Sequence, residues 1–298
     1  MKKSIFTLLF FIALWGCDKI DDPYQDYVPS APTANTNNDS TSELLVDTTD
    51  QTQRVFIEDY TGHTCGNCTG AGYTARQLKQ TYGDKMIVVG IHAGFFAEPY
   101  PPSAGKYTTD FRTAAGDEYY TFFNVQSNPT IWFDRENVLT SSTQAPWEAE
   151  IINRTSKNAR VQLGLKIEYD STSNTAQIEL GAYFFDNIDS SLYVTLSLIE
   201  DSIVDWQKNY ASGGDPDYPV GDVPDYVHRH VLRDNVNGIW GEQLAANAQK
   251  GDLFTKQYTY TPTNYLDIKH CSIVAYIYNN DHPTRKVLQV TEKHLITH

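Results

Sequence analysis

Residues 58–80, EDYTGHTCGNCTGAGYTARQLKQ, place Cys65 and Cys68 two residues apart in the sequence. The preceding run, RVFIEDY at 54–60, is rich in β-branched and aromatic residues and predicts a strand. The residues that follow predict a helix. A pair of thiols between a strand and a helix fits three kinds of site: a redox centre, half of a metal site, or a disulfide staple.

The segment around this pair has the pattern of an α/β structure. Ala71, Ala75, Leu78 and Tyr82 recur on one helical face, and Gly83 follows as a C-cap. The apolar run MIVVGIHAG at 86–94 predicts a buried parallel strand. Further along, 130–133 (TIWF) predicts a strand and 143–154 a helix with Trp147 and Ile151 on one face.

From about residue 159 the pattern changes to strict alternation. Val161, Leu163, Leu165 and Ile167 point to one side of a strand, and the runs at 175–185, 191–201 and 271–279 alternate in the same way. Such runs, separated by polar turns, predict an antiparallel sandwich. The long stretch 211–230 interrupts it and is expected to be a functional or packed loop.

Composition excludes one class of partner. The chain has 298 residues, 40% of them hydrophobic, which is enough for two domains with their own cores. Its formal net charge is -14, and no basic patch offsets it. We therefore expect no binding to nucleic acid. The sequence also indicates no cofactor.

The N-terminus predicts export. Residues 1–16 have a basic start and a short apolar run, as in a signal peptide, and LWGC at 14–17 resembles a lipoprotein cleavage box. We expect lipidation at Cys17 and a disordered tether over 17–52. In the alternative, the signal is an ordinary secretory one and Cys17 is incidental. The acidic DKIDD at 18–22 resembles surface-export signals of Bacteroidetes lipoproteins, although a solvated linker explains it equally well.

Export to an oxidising compartment favours disulfides. Cys65 and Cys68 form the natural pair, and Cys271 is expected to be buried and unpaired; its alternative is a partner for Cys65. A zinc site would need His63 and His92 to complete it, because no second CxxC exists. A staple across two residues closes a loop too small to add much stability.

The order strand, CGNC, helix, strand, helix, Asn-Pro-Thr, strand, helix over 54–155 resembles the thioredoxin fold. The resemblance implies a Cys65 nucleophile at a helix N-terminus and a shielded Cys68 that resolves the mixed disulfide. It also implies a cis Pro129 facing the pair and a buried acid at Asp59 with a raised pKa.

Two residues depart from the pattern of efficient reductases. Thr64 replaces a tryptophan and Thr69 replaces a proline.

FIEDYTGHTCGNC at 56–68 together with YVHRHVLRDNVNGIWGE at 226–242 resembles a Bacteroidetes lipoprotein family named after a twenty-eight-kilodalton outer membrane protein. The resemblance spans about residue 50 to the C-terminus. It implies an outer-membrane protein anchored by lipid at Cys17, with adhesion among the roles proposed for the family. The expected fold is an α/β thioredoxin-like domain over 53–157 followed by an all-β antiparallel sandwich domain over 158–298.

Polar clusters in the second domain suggest further sites. His228 and His230 would share one face of a strand and suggest a metal site, although a polar cluster pinning the long loop, with Arg233 paired to Asp222 or Asp225, is favoured. Asp215, Asp217 and Asp222 are calcium-type ligands, but their spacing fits no EF-hand loop. We therefore expect no metal.

Two functions remain open on the sequence. The first is thiol–disulfide exchange in the cell envelope by Cys65 and Cys68, with Pro129 and Asp59 in support. The second is a binding or adhesion lipoprotein that contacts envelope or surface proteins and keeps a structural Cys65–Cys68 disulfide. The sequence does not decide the redox direction, the substrate or the leaflet.

Lipidation is tested by Cys17→Ala. The variant should lose incorporation of a palmitate analogue and leave the membrane fraction, because Cys17 is the expected acyl acceptor. A Cys271→Ala variant controls for loss of a cysteine as such. Retention of label and membrane association by Cys17→Ala would contradict the lipoprotein reading.

Overall fold

The structure is a computed structural model and describes residues 45–296. The helices are α1 (Cys68–Tyr82), α2 (Ala114–Phe122) and α3 (Gln144–Thr155). The strands are β1 (Val55–Thr61), β2 (Met86–His92), β3 (Thr130–Phe133), β4 (Asn137–Leu139), β5 (Val161–Asp170), β6 (Thr175–Phe184), β7 (Ile188–Glu200), β8 (Ile203–Asn209), β9 (Gly221–His228), β10 (Val231–Asn235), β11 (Glu242–Ala248), β12 (Leu253–Tyr260), β13 (Cys271–Asn279) and β14 (Val287–His294). The signal peptide and Cys17 lie outside the described residues.

One mixed sheet organises the protein. Its strands run in the order β14-β13-β7-β10-β2-β1-β3-β4, and β11 also pairs with β7. β1 and β2 are parallel, as the apolar run at 86–94 predicted, whereas β3 is antiparallel to β1. The described residues are therefore mostly β, in mixed and antiparallel sheets.

Two helices cover one face of β1. Val55 and Ile57 of β1 share a core with Ala71 and Leu78 of α1 and with Trp147 of α3. The helical face expected from the sequence is confirmed, and α1 ends at Gly83, which has a positive φ of 52°. Because side chains alternate along a strand, Asp59 continues the face that α1 covers, and Glu58 points to the opposite face.

A second layer covers the sheet over its other half. β5, β6 and β12 form an antiparallel sheet whose Ile178 and Leu180 pack with Leu196 of β7 and Ile273 of β13. The expected sandwich is thus present in part. It is not separate from the first half of the chain, because β7 and β13 continue through β10 into the sheet that holds β1 and β2.

The packed part of the chain begins before position 53. Val46 is 4% exposed, and a Cβ at Gly164 of β5 would overlap the carbonyl of Leu45. Ala159 N donates to the carbonyl of Gln51 at 2.9 Å. The last residues of the expected tether, 45–52, are therefore packed on the β5–β6 layer.

A single strand contact joins the two halves of the sheet. β10 lies beside β2, with Val231 opposite Gly90 and the amide of Gly90 donating to the carbonyl of His230 at 2.8 Å. A Cβ at Gly90 would lie 3.3 Å from the carbonyl oxygen of Arg229. The absence of a side chain at Gly90 therefore permits this close approach. The boundary expected at residue 157 falls between segments that share one sheet.

A buried ion pair lies on the face of β1 opposite α1. Arg135 donates to Glu58 at 2.7 Å, and the two side chains are 0% and 1% exposed. Six aromatic rings have their centroids 4.9–5.9 Å from the guanidinium carbon: Phe56, Tyr119, Phe123, Trp240, Tyr276 and Tyr278. These rings come from both halves of the chain. Arg135 also donates to the hydroxyl of Tyr276 at 3.0 Å, so its contacts connect the two halves inside the core.

Removing the charge of Glu58 should destabilise the protein strongly. Glu58→Gln leaves Arg135 buried without a counter-charge and should lower the free energy of unfolding by about 3–5 kcal/mol. Asp186→Asn, which removes the exposed pair with Arg160, is the control and should cost about 0–1 kcal/mol. Urea unfolding measures both. Equal losses would show that the buried pair does not hold the core together.

Candidate functional site

The two cysteines of the CxxC motif form a disulfide. The S–S distance is 2.03 Å and the Cα atoms lie 5.4 Å apart. Helix α1 begins at Cys68, with Asn67 as its N-cap residue, so the first helical residue is Cys68 rather than the expected Cys65. Cys65 lies one turn ahead, where its carbonyl accepts from the amide of Cys68 at 3.2 Å. The predicted Cys65–Cys68 disulfide is confirmed.

Both cysteines are covered. Cys65 and Cys68 are each 3% exposed. An exchange enzyme needs a Cys65 that partners can reach, and the structure instead places another part of the chain next to it. That part is residues 207–215, the end of β8 and the start of the loop that follows. We call it the strap.

The strap binds the CxxC loop through the backbone. The amide of Lys208 donates to the carbonyl of His63 at 2.8 Å, and the amide of Tyr210 donates to the carbonyl of Gly66 at 3.1 Å. The side-chain amide of Gln207 also donates to the carbonyl of Cys65, at 3.0 Å. The first part of the strap, residues 207–210, therefore lies along the CxxC loop, and a turn follows it.

Two glycines of the motif region admit the strap. A Cβ at Gly66 would overlap the ring of Tyr210, and a Cβ at Gly70 would overlap the carbonyl oxygen of Gly213. A side chain at Gly70 would force the backbone of Gly213 to move, and one at Gly66 would force the ring of Tyr210 to move. The CGNC sequence and the first turn of α1 are thus shaped to the strap as well as to the disulfide.

The two threonines that depart from the reductase pattern hold neighbouring segments. The amide and hydroxyl of Thr64 both donate to the carbonyl of Phe96, at 3.1 and 2.9 Å. The hydroxyl of Thr69 donates to Asn209 at 2.7 Å and accepts from the amide of Asp215 at 3.2 Å. Thr69 therefore binds the strap directly.

Ion pairs attach the end of the strap and the residues that follow it to α1. Arg76 of α1 pairs with Asp215 at 3.1 Å and with Asp217 at 2.6 Å. The Asp215 side chain is fully buried and that of Arg76 is 12% exposed. This contact is shielded from solvent on the side of Asp215, so it is stronger than an ordinary surface pair.

Asp222 of β9 forms a second set of contacts, which links the strap residue Lys208 to Lys106 and Tyr107. It accepts from Lys106, from Lys208 at 2.8 Å and from the hydroxyl of Tyr107 at 2.7 Å. Hydrogen bonds from Lys106, Lys208 and Tyr107, in that order, hold the pKa of Asp222 well below its usual range. The three aspartates considered as calcium ligands are therefore bound to cationic side chains.

Asp59 is buried on the face of β1 that α1 covers. It is 7% exposed, and its Oδ1 has no hydrogen-bond partner among the described residues. Burial raises the pKa of Asp59 to about 7. The expected buried acid with a raised pKa is confirmed.

Pro129 begins the turn into β3. The Asn128–Pro129 peptide bond is cis, as predicted. The side-chain amide of Asn128 donates to the carbonyls of Thr61 and Ala93, at 2.8 and 3.1 Å. These carbonyls end β1 and β2, so Pro129 lies at the sheet edge from which the CxxC loop leaves.

Three histidines from distant positions meet beside the CxxC loop. The ring centroids of His92 and His228 are 5.5 Å apart, and those of His63 and His92 are 6.4 Å apart. Phe111 packs against His92 and His228 at 5.0 and 5.1 Å. Burial lowers the pKa of His228 to about 4 and lowers the pKa values of His63 and His92 as well. These rings are therefore neutral at pH 7.

The expected pairing of His228 with His230 on one strand face is wrong. β9 ends at His228, and His230 has a positive φ of 51°, so the alternation breaks between them. His228 is buried, whereas His230 lies 3.3 Å from Asp201. Over residues 45–296, no three His, Cys, Asp or Glu side chains are grouped so as to hold a metal ion.

Two other expectations concern the second half. Arg233 pairs with Glu200 at 3.3 Å rather than with Asp222 or Asp225, because both side chains are buried together beneath the sheet. Cys271 is fully buried and unpaired, as predicted. Burial raises the pKa of the Cys271 thiol to about 12.

The sequence profile of the family described as "Outer membrane protein Omp28" matches residues 116–298, more than half of the chain. The chain belongs to the Omp28 family. The resemblance inferred from its motifs is confirmed, and this Omp28-family chain is an outer-membrane protein. The match includes the strap but begins after the CxxC motif. Among curated proteins, none matches this chain.

Solved structures resemble the fold of this Omp28-family chain. HBP35 of Porphyromonas gingivalis is 14% identical with a TM-score of 0.60, over 82% of this chain and 76% of that chain. A protein of Agrobacterium tumefaciens is 9% identical with a TM-score of 0.53, over 84% and 97% of the respective chains. A domain of the outer membrane lipoprotein Omp28 from Porphyromonas gingivalis is 22% identical over 45% and 86%, with a TM-score of 0.27. At these identities the first two show a shared fold alone.

Sequence reasoning missed the residues of the strap in this Omp28-family chain. Gln207, Asn209 and Tyr210 were not singled out, because their contacts with the CxxC loop span more than a hundred residues of sequence. The available signal was indirect. Thr69 departs from the reductase pattern and the long loop at 211–230 interrupts the alternating strands, and the two are in contact through the amide of Asp215.

Asp59 should make stability depend on pH. Its carboxyl ionises near 3.8 in an unfolded chain and near 7 in the folded one. The contribution of Asp59 to the free energy of unfolding is therefore complete below pH 3.8 and is lost as the pH rises through 7. Above pH 7, burying the carboxylate costs on the order of 4 kcal/mol. Asp59→Asn should thus gain stability relative to the natural protein between pH 4 and pH 8.

Urea unfolding at several pH values measures this difference. Asp222→Asn is the control of opposite sign, because the pKa of Asp222 is lowered and its stabilising effect is present at neutral pH. A difference for Asp59→Asn that does not change with pH would contradict the raised pKa.

Proposed function

We propose that this protein carries a thioredoxin-like module over residues 53–157 and performs thiol–disulfide exchange in the cell envelope. The observation that carries the proposal is the Cys65–Cys68 disulfide at the start of α1, with the buried acid Asp59 on the face of β1 that α1 covers. A disulfide ahead of a helix N-terminus favours release of a thiolate, because unpaired amides and the helix dipole stabilise its charge.

The reaction is a two-step exchange. A thiolate of a partner protein attacks the sulfur of Cys65, and the Cys65–Cys68 bond breaks to leave a thiolate on Cys68. A second partner thiolate then attacks the partner sulfur of the mixed disulfide and releases Cys65. The partner is oxidised to a disulfide, and two electrons and two protons pass to Cys65 and Cys68. The relative reduction potentials decide the direction, and every step is reversible.

Asp59 and Pro129 support these steps. A carboxyl group with a pKa of about 7 exchanges protons near neutral pH, which suits a donor and acceptor for the Cys68 sulfur. Pro129 lies at the sheet edge from which the CxxC loop leaves and would border the partner segment docked there. Asp59 is assigned as the proton-transfer residue and Pro129 as a positioning residue.

Anchoring follows from the N-terminus. A signal peptide over 1–16, lipid on Cys17 and a linker up to the packed chain at Leu45 would hold the module at the outer membrane. Its partners would then be proteins of the envelope or the cell surface. Within the part of the chain that the structure describes, no helix is long and apolar enough to span a membrane.

One observation favours a second candidate function. Cys65 and Cys68 are each only 3% exposed, which suits a structural disulfide in a non-enzymatic binding or adhesion lipoprotein. The two functions differ in the reactivity of Cys65. An exchange protein forms mixed disulfides through Cys65, whereas a binding protein does not.

Trapping in cells separates them. Cys68→Ser leaves Cys65 unable to resolve and should accumulate mixed disulfides with envelope proteins, detected as high-mass species that reductant removes. Cys65→Ser is the matched control and should accumulate none, because in the proposed exchange the partner bonds to Cys65 and Cys68 only resolves the mixed disulfide. Absence of adducts in Cys68→Ser, or equal adducts in both variants, would favour the binding protein.

A further inference from the structure

The strap covers the disulfide with a segment of the protein itself. Its backbone amides at Lys208 and Tyr210 donate to the carbonyls of His63 and Gly66, which flank Cys65 in sequence. Carbonyls in such a loop would otherwise be open to an extended segment of another protein. The strap therefore occupies the position that a partner would need.

We propose that the strap is an intramolecular gate over the Cys65–Cys68 disulfide, which reacts only after residues 207–215 move away. This inference rests on the proposed exchange function, whose regulation it specifies. The contacts that hold the strap closed are of two kinds: the ring of Tyr210 on Gly66 and the hydrogen bonds of Gln207 and Asn209 beside the cysteines.

Two sets of ion pairs hold the strap and the residues that follow it, and their exposure to solvent differs. Arg76 holds Asp215 and Asp217, with Asp215 fully buried. At the other end, Lys106 and Lys208 hold Asp222 with side chains 40% and 37% exposed. The Asp222 contacts are open to solvent and are the weaker set. Both sets hold residues 207–215 in place, and the less screened Arg76–Asp215 pair contributes more to closure.

The arrangement fits a local opening rather than unfolding. β8 and β9 form a two-stranded sheet that is separate from the nine-stranded one. The strap can therefore leave the CxxC loop without breaking the β10–β2 pairing. The closed strap shields the disulfide from small thiols, and a partner segment that replaces its backbone hydrogen bonds gains access.

The gate is tested by the rate at which a small phosphine reduces Cys65–Cys68 in the folded full-length protein. Reduced thiols are alkylated and the peptide that carries Cys65 and Cys68 is quantified by mass spectrometry. Tyr210→Ala and Arg76→Gln should each speed reduction by about tenfold, equivalent to about 1.4 kcal/mol of lost closure. Tyr258→Ala, a tyrosine of β12 bound to Glu242, is the matched control and should leave the rate unchanged.

Urea unfolding of each variant separates local opening from global destabilisation. If Tyr210→Ala proves unfolded, Arg76→Gln decides the question. Rates within twofold of the natural protein in the folded strap variants, or equal acceleration by Tyr258→Ala, would overturn the gate. The phosphine needs no protein partner, so this result is independent of the trapping experiment. A fast-reacting strap variant with no trapped partner would refute the exchange function and leave the gate standing.

Discussion

The backbone contact between β10 and β2 determines the geometry of the site. Gly90 lets the carbonyls of Arg229 and His230 approach the strand, and β9 ends only two residues earlier at His228. The hairpin of β8 and β9 is therefore held next to the ends of β1 and β2, where the CxxC loop lies. A Cβ at Gly90 would lie 3.3 Å from the carbonyl oxygen of Arg229, so the turn between β9 and β10 would have to shift slightly to accept one.

Buried charge makes the arrangement specific. Arg135 lies among aromatic rings from both halves of the chain, and its ionic partner Glu58 comes from β1. A buried arginine needs that ionic partner. Both members of the pair belong to the first half of the chain, and Arg135 reaches the second half by donating to the hydroxyl of Tyr276 at 3.0 Å. On the opposite face of the same strand, Asp59 has no cationic partner and holds its proton up to about pH 7. Adjacent acids on one strand thus differ in charge state because only Glu58 has a cationic partner.

Local sequence patterns predicted the helices and strands. The contacts of the site were not predicted, because the residues that form them are far apart in the sequence. The buried face of Ala71 and Leu78, the strand at 130–133 and the cis Pro129 all follow from spacing or from the resemblance, and each was found. The strap leaves no periodic signature, because its partners are chosen by the tertiary fold. The alternation expected from His228 to His230 failed for a related reason. The positive φ of His230 ends the alternation, and the neighbouring sequence gives no signal of this conformation.

The sheet order also bears on whether the segment that carries the family match could form its sheet without the preceding residues. The family match begins at residue 116, within α2, and so leaves out β1 and β2. Those strands lie between β10 and β3 in the sheet. A fragment starting at 116 would leave two unpaired strand edges facing a gap two strands wide, about 10 Å. The portion that carries the family match therefore depends on β1 and β2 to complete its main sheet.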